Sequence, residues 1–138
     1  MTTLITDKDY YNLMKDIDTA TLENTLVKEL TDRKLKISSA ESCTGGMISQ
    51  RITNVSGASN VFELGVCSYA NRIKNKVLGV SNETLNTVGA VSEETATQMC
   101  EGIKELSSSD IGVSTTGIAG PTGGTAKKPV GLVFIGIA

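Results

Sequence analysis

The stretch Leu35-Lys36-Ile37-Ser38-Ser39-Ala40-Glu41-Ser42-Cys43-Thr44-Gly45-Gly46 decides how the rest of the chain is read. Leu35 to Ala40 has the length and apolar character of a short buried strand, and it ends in a polar, glycine-closed cluster. Beyond that cluster Met47, Ile48, Ile52 and Val55 recur at helical spacing, and Ser56-Gly57 closes the helix. The cluster therefore sits on a strand-to-helix turn.

Working outward, Leu22, Leu26, Val27 and Leu30 predict an amphipathic helix from Asp18 to about Arg33, with Asp18 or Thr19 as its cap. Val61 to Tyr69 reads as a second strand, and Asn71 to Leu78 as a short helix stopped by Gly79. Ser92 is placed as an N-cap before Glu93 and Glu94, followed by the apolar stripe Met99, Cys100, Ile103 and Leu106. Asp110 to Ser114 is a third buried strand, Thr115 to Pro129 a Gly-rich loop, and Val130 to Ala138 a final strand. Strands alternating with helices predict an α/β fold, a three-layer α/β/α sandwich with a mixed central sheet.

The 138 residues amount to one domain. Residues 1–17, without periodicity, are set apart as a tail or short helix, and 18–138 as the domain. Residues 1–36 carry seven acidic and six basic side chains, and all 14 glycines lie at or after Gly45. That split sets a solvated helical start against a Gly-punctuated body. With 13 Lys+Arg against 15 Asp+Glu there is no polybasic footprint for nucleic acid. The longest apolar run, Val130 to Ala138, is too short to cross a bilayer, and Asp7, Asp9, Asp16 and Asp18 stand where a secretory leader would be basic and then apolar. A cytoplasmic protein without membrane or nucleic-acid partners is expected.

The chain has 0 histidines, which removes Ser-His and Cys-His nucleophile pairs and His-ligated zinc. Cys43, Cys67 and Cys100 form no C-x-x-C pair, so neither a disulfide framework nor a structural metal site is suggested. Cys67 and Cys100 are assigned to the core.

Three segments carry chemistry. The turn Glu41 to Gly46 offers Ser42, Cys43 and Thr44 beside the N–H groups of a helix start, which suits a nucleophile with its own oxyanion site, or an anion, or simple helix capping. Between Ser42 and Cys43 the residues alone do not choose. Tyr69-Ala70-Asn71-Arg72-Ile73-Lys74 follows a strand. There Lys74, its pKa lowered by burial or by Arg72 and Lys76, could act as a base for a serine, with Tyr69 relaying or orienting; a solvated basic helix face is the plain alternative. Thr115-Thr116-Gly117-Ile118-Ala119-Gly120-Pro121-Thr122-Gly123-Gly124-Thr125 matches neither Walker A nor G-x-G-x-x-G, yet its glycines and hydroxyls suit a phosphate or a reacting carbonyl; a long turn is the alternative. No G-x-S-x-G elbow and no Ser-x-x-Lys at Ser42 occur.

Ala40 to Gly46, Tyr69 with Asn71 and Lys74, Thr116 to Pro121, and Lys128-Pro129-Val130-Gly131, together with Leu78-Gly79-Val80 and Gly89-Ala90-Val91-Ser92, resemble the C-terminal domain family of competence/damage-inducible protein CinA over about residues 20–138. The resemblance implies nicotinamide-nucleotide amidase activity: hydrolysis of the carboxamide of nicotinamide mononucleotide to nicotinate mononucleotide and ammonia, with no metal and no cofactor. It implies Ser42 as nucleophile, Lys74 as its base, Tyr69 as an assisting hydroxyl and Thr116 as part of the polar cluster. Cys43, Thr44, Gly45, Gly46, Asn71, Gly117 and Gly120 would line the substrate, with N–H groups near Thr44 to Gly46 holding the oxyanion.

Family members continue beyond the strand matching Val130–Ala138 into a helical segment carrying an arginine of the site, which has no counterpart in this sequence. The expectations are a truncated or a shortened member, and a homodimer in which a partner chain covers the last strand. The competing reading is a non-catalytic nucleotide-binding or interaction module. A related amidase with another carboxamide substrate is the third.

Overall fold

The structure, a computed structural model, describes residues 21–138 together with Asn12 and Lys15. The proposed tail and the proposed caps Asp18 and Thr19 otherwise fall outside the described residues.

Helix α1 (Leu22–Arg33) leads into β1 (Ile37–Glu41), α2 (Met47–Thr53), a 3-10 turn (Ala58–Asn60) and β2 (Phe62–Cys67). Helices α3 (Asn71–Leu78), α4 (Asn82–Thr87) and α5 (Glu93–Ser107) follow, then β3 (Ile111–Gly117) and β4 (Val133–Ile137). The sheet order is β2-β1-β3-β4. β1 runs parallel to β2 and β3, while β4 is antiparallel to β3. The sheet is thus mixed, as its sequence predicts, and β1 lies at its centre with all five residues buried.

Alternation along β1 divides the core into two layers. Ile37 joins Val27 and Leu30 of α1, Ile52 of α2, Ala58 and Val61. Ala40 points the other way, into Leu78, Val80, Met99 and Ile103. Each of the buried Val, Leu, Ile and Met side chains contributes about 2 kcal/mol from removal of apolar surface from water. Helices therefore cover both faces, giving three layers.

α5 starts where its sequence signals: the Ser92 side chain accepts from the Thr95 N–H. It lies very close to β3 and β4, since a Cβ on Gly112 would come 2.1 Å from the Cys100 carbonyl oxygen and one on Gly136 2.6 Å from that of Ala96. Only a missing side chain permits that approach.

Four details depart from the sequence reading. Thr115, Thr116 and Gly117 belong to β3 and not to the following loop, because β4 pairs with them through Ile135, Phe134 and Val133. Cys67, assigned to the core, is exposed, since β2 is an edge strand whose alternate residues face solvent. The short helix α4 was not anticipated, although Ser81 caps it by accepting from the Thr84 N–H. The final strand is narrower than expected and not wholly buried: Val133, Ile135 and Ile137 are exposed on one face.

Candidate active site

Ser42 follows the last residue of the central strand, at the carboxyl ends of β1, β2 and β3, where open α/β sheets place their ligands. Its N–H donates to the Thr115 carbonyl at 3.0 Å, so the turn begins pinned to β3. Gly45 (φ 60°) and Gly46 (φ 104°) then reverse the chain in a left-handed conformation that side chains disfavour. A Cβ on Gly46 would also approach Cys67 Sγ at 3.3 Å.

Lys74 comes from the first turn of α3 and is only 1% exposed. Its amine lies 3.0 Å from Ser42 Oγ and donates to the carbonyls of Ser68 at 2.6 Å and Tyr69 at 3.2 Å. Burial pushes the Lys74 amine below its ordinary value of 10.5, opposed in part by the Cys43 thiolate form. The flanking Arg72 and Lys76 are exposed and take no part in that lowering, so desolvation and not neighbouring cations tunes the amine. The arrangement has a simple chemical meaning. A neutral amine has two N–H groups and one lone pair; with the two carbonyls taking the N–H groups, the lone pair is left for the Ser42 hydroxyl.

Cys43 is half-buried beside this pair. Burial raises its thiol above the usual value, a tendency only partly offset by its own N–H, by Lys74 and by the Thr44 N–H. The thiol is thus kept protonated, and the Lys74 amine makes its side-chain contact with Ser42 Oγ and not with Cys43.

The amides of the turn can be accounted for one by one. Gly45 N–H donates to the Ser42 carbonyl at 3.1 Å and Gly46 N–H to Glu41 Oε2 at 3.0 Å. Both are spent, contrary to the expectation that they hold an oxyanion. Among the described residues the N–H groups of Cys43 and Thr44 meet no backbone oxygen and face the Cys43 sulfur, a weak acceptor that a ligand oxygen can displace.

Thr116 is buried, and its hydroxyl donates to the Ala90 carbonyl at 2.5 Å. It ties β3 to the turn before α5, and no bond joins it to Ser42 or Lys74. Tyr69 is 78% exposed, and only its carbonyl reaches Lys74; its hydroxyl meets neither member of the pair. Asn71 opens α3 with its side chain exposed. Gly117 and Gly120 answer to chain crossing: a Cβ would lie 2.6 Å from the Leu132 carbonyl oxygen at Gly117 and 2.5 Å from Val130 Cγ1 at Gly120. Among the described residues no cluster of three His, Cys, Asp or Glu side chains could hold a metal ion, and no helix is long and apolar enough to cross a membrane.

Two residues acquire places that their sequence context left unassigned. Lys128 Nζ donates at 2.6 Å to the carbonyls of both Val88 and Val91, strapping the Gly-rich loop to the turn that Thr116 also holds. Glu41, wholly buried, accepts from five donors around the Ser42 turn. The available signal for Glu41 was a carboxylate one residue ahead of a turn whose helix has glycine, with no side-chain acceptor, at its N-cap.

A family model described as the CinA C-terminal domain matches residues 19–138. A CinA-like protein of Kosmotoga olearia is 55% identical over 116 residues, which cover 84% of this chain and 28% of that protein. Another from Syntrophus aciditrophicus is 51% identical over 121 residues, covering 88% and 29%. The chain thus spans less than a third of the length of these curated relatives. Among solved structures, competence/damage inducible protein CihA from Agrobacterium tumefaciens superposes with a TM-score of 0.83 at 46% identity, covering 84% of this chain and 70% of that one. A competence-damaged protein (CinA) superfamily protein from Escherichia coli gives 0.84 at 28% identity, covering 91% and 76%.

Proposed function

The chain belongs to the CinA C-terminal domain family, and from that premise we propose that it is a serine amidase acting on the carboxamide of nicotinamide mononucleotide. The observation that carries the proposal is the buried Lys74 amine, oriented by the Ser68 and Tyr69 carbonyls and 3.0 Å from Ser42 Oγ. The choice of nucleotide rests on the family resemblance. The choice of amide chemistry rests on the pair itself.

In this reading the Ser42 hydroxyl gives its proton to the neutral Lys74 amine as Oγ bonds to the amide carbon. The carbonyl oxygen becomes an oxyanion held by the Cys43 and Thr44 N–H groups. The C–N bond then breaks, and the Lys74 ammonium returns its proton to the departing nitrogen, which leaves as ammonia. Water attacks the resulting ester, losing its proton to Lys74, and the acid product is released as Ser42 regains its hydrogen. Every proton passes through one amine, so no histidine is required. The Gly-rich loop strapped by Lys128 is offered for the nucleotide's phosphate, with Thr122 and Thr125 as hydroxyl donors.

The test is incubation with nicotinamide mononucleotide, followed by measurement of ammonia and of nicotinate mononucleotide. Equimolar formation of both is expected. Saturable binding without turnover would replace the proposal with the binding-module reading, and absence of both would overturn each.

A further inference from the structure

We propose that Glu41 is the positioning residue of the nucleophilic turn: its buried carboxylate gathers the donors of the turn and of the α2 start, and so fixes where Ser42 and the Cys43 and Thr44 N–H groups point. This rests on the reading of Ser42 as nucleophile, and adds a residue that itself touches no reacting atom.

The bonding is complete on both oxygens. Oε2 accepts from Thr44 Oγ1 at 2.7 Å, from Gly46 N–H at 3.0 Å and from Ile48 N–H at 3.0 Å. Oε1 accepts from Ser49 N–H at 2.8 Å and from Ser49 Oγ at 2.7 Å. A hydroxyl has one proton, so Thr44, which gives its own to Glu41, must accept from Thr115 Oγ1 at 2.7 Å; Ser49 likewise accepts from Ser39 Oγ at 2.8 Å. One carboxylate therefore ties the turn to α2, to β1 and to β3. Burial alone would raise its pKa, but the bonds from Ser49, Thr44 and Ile48 outweigh that and hold the carboxyl below its ordinary value, so it stays charged.

The consequence reaches the site by elimination. The helix start would otherwise present the Gly46, Ile48 and Ser49 N–H groups to any passing anion or to water. With those three turned inward onto Glu41, the donors of the turn that meet no oxygen are those of Cys43 and Thr44, adjacent to Ser42 and facing only the Cys43 sulfur. A bound carbonyl then has one place to put its oxygen.

The decisive variant is Glu41→Gln, which keeps the volume but sets an NH2 group against fixed N–H donors whichever way it is turned. Two readouts are taken on folded protein: the rate at which a fluorophosphonate labels Ser42, and kcat and KM for nicotinamide mononucleotide. In labelling, Ser42 Oγ forms a bond to phosphorus, the P–F bond breaks, fluoride leaves and the proton passes to Lys74. Misplacement of the nucleophile is expected to lower both the labelling rate and kcat by at least about tenfold while KM changes far less. Should Glu41→Gln fail to fold, Ser49→Ala removes a single donor and is expected to give a smaller fall in the same two rates. Labelling and kcat equal to wild type in folded Glu41→Gln, or in Ser49→Ala if that is the variant in hand, would overturn the role of Glu41. Wild-type protein that labels at Ser42 without hydrolysing the nucleotide would overturn the substrate assignment alone. Wild-type protein that neither labels nor hydrolyses would overturn the nucleophile assignment, and the role of Glu41 with it.

Discussion

Lys74 and Ser42 are 32 positions apart in sequence, yet the amine of one lies 3.0 Å from the hydroxyl of the other. Three features of the fold create the contact. The parallel pairing of β1 and β2 sets Ser42 level with Ser68, the sharp turn after β2 starts α3, and the first turn of α3 swings Lys74 back over the end of β1. Burial there lowers the amine's pKa below the ordinary lysine value, which is the direction a lysine base requires.

Replacing Lys74 by Met should therefore remove the proton carrier while leaving a side chain of similar length in the apolar layer. A loss of about 10²–10⁴ in kcat is expected, as for removal of a general base, measured by ammonia release. In the wild type kcat/KM should rise with pH as the amine loses its proton, with a midpoint below the ordinary lysine value of 10.5.

The same shift has a signature in stability. With its folded pKa depressed below 10.5, Lys74 binds fewer protons in the folded state than in the unfolded chain across the interval between the two values. Unfolding free energy attributable to this residue must then rise with pH through that interval and be flat below it. Denaturant titrations of wild type and Lys74→Met at a series of pH values should show the wild type gaining on the variant as pH climbs towards 10.5.

Thiol reactivity separates the cysteines. Cys67 is exposed, whereas the Cys43 thiol is half-buried and raised by burial, and Cys100 is buried and also raised by burial. Iodoacetamide at neutral pH should alkylate Cys67 first. Mass spectrometry of the labelled peptides gives the order, and faster labelling at Cys43 would mark it as the activated nucleophile.

Lys128 offers a test of the proposed role of the Gly-rich loop. Losing its two bonds to the Val88 and Val91 carbonyls by Lys128→Ala should cost about 1–3 kcal/mol locally. Hydrogen exchange should accelerate in residues 118–131, and KM for the nucleotide should rise with little change in the labelling of Ser42.

A purely structural check lies at Gly102, where a Cβ would stand 1.9 Å from the Leu78 carbonyl oxygen at the crossing of α5 and α3. Gly102→Ala should destabilise the fold by about 1–3 kcal/mol or more through forced separation of the two helices, read as a lower denaturation midpoint.

How much of this was legible in sequence depended on whether the signal was local. Asn71 to Leu78 was bounded correctly because Gly79, at φ 70°, is a helix stop written in one residue. Ser92 likewise announced α5. By contrast, Thr115 to Gly117 read as loop from their glycine and hydroxyls, but β4, some eighteen residues on, supplies the partner that makes them strand. Cys67 was assigned to the core because it falls on a strand, and its exposure follows from that strand lying at the sheet edge.

The candidate site divides in the same way. Ser42 and Lys74 were named from residue type, and the fold brings them together. The Tyr69 hydroxyl and Thr116, grouped with them by resemblance, lie outside bonding reach of the pair, one facing solvent and the other holding the Ala90 carbonyl. The amides expected to hold an oxyanion are in part committed elsewhere, Gly45 to the Ser42 carbonyl and Gly46 to Glu41, which leaves the proposal the donors of Cys43 and Thr44. Whether a backbone N–H is free is a property of its partners, and partners come from the fold.

The central claim is that Ser42, and not its neighbour Cys43, attacks the amide. The direct measurement is ammonia release from nicotinamide mononucleotide by wild type, Ser42→Ala and Cys43→Ala under one set of conditions. Wild type should release ammonia, Ser42→Ala none above background, and Cys43→Ala a retained part of the rate. Release that survives in Ser42→Ala and vanishes in Cys43→Ala would contradict the claim.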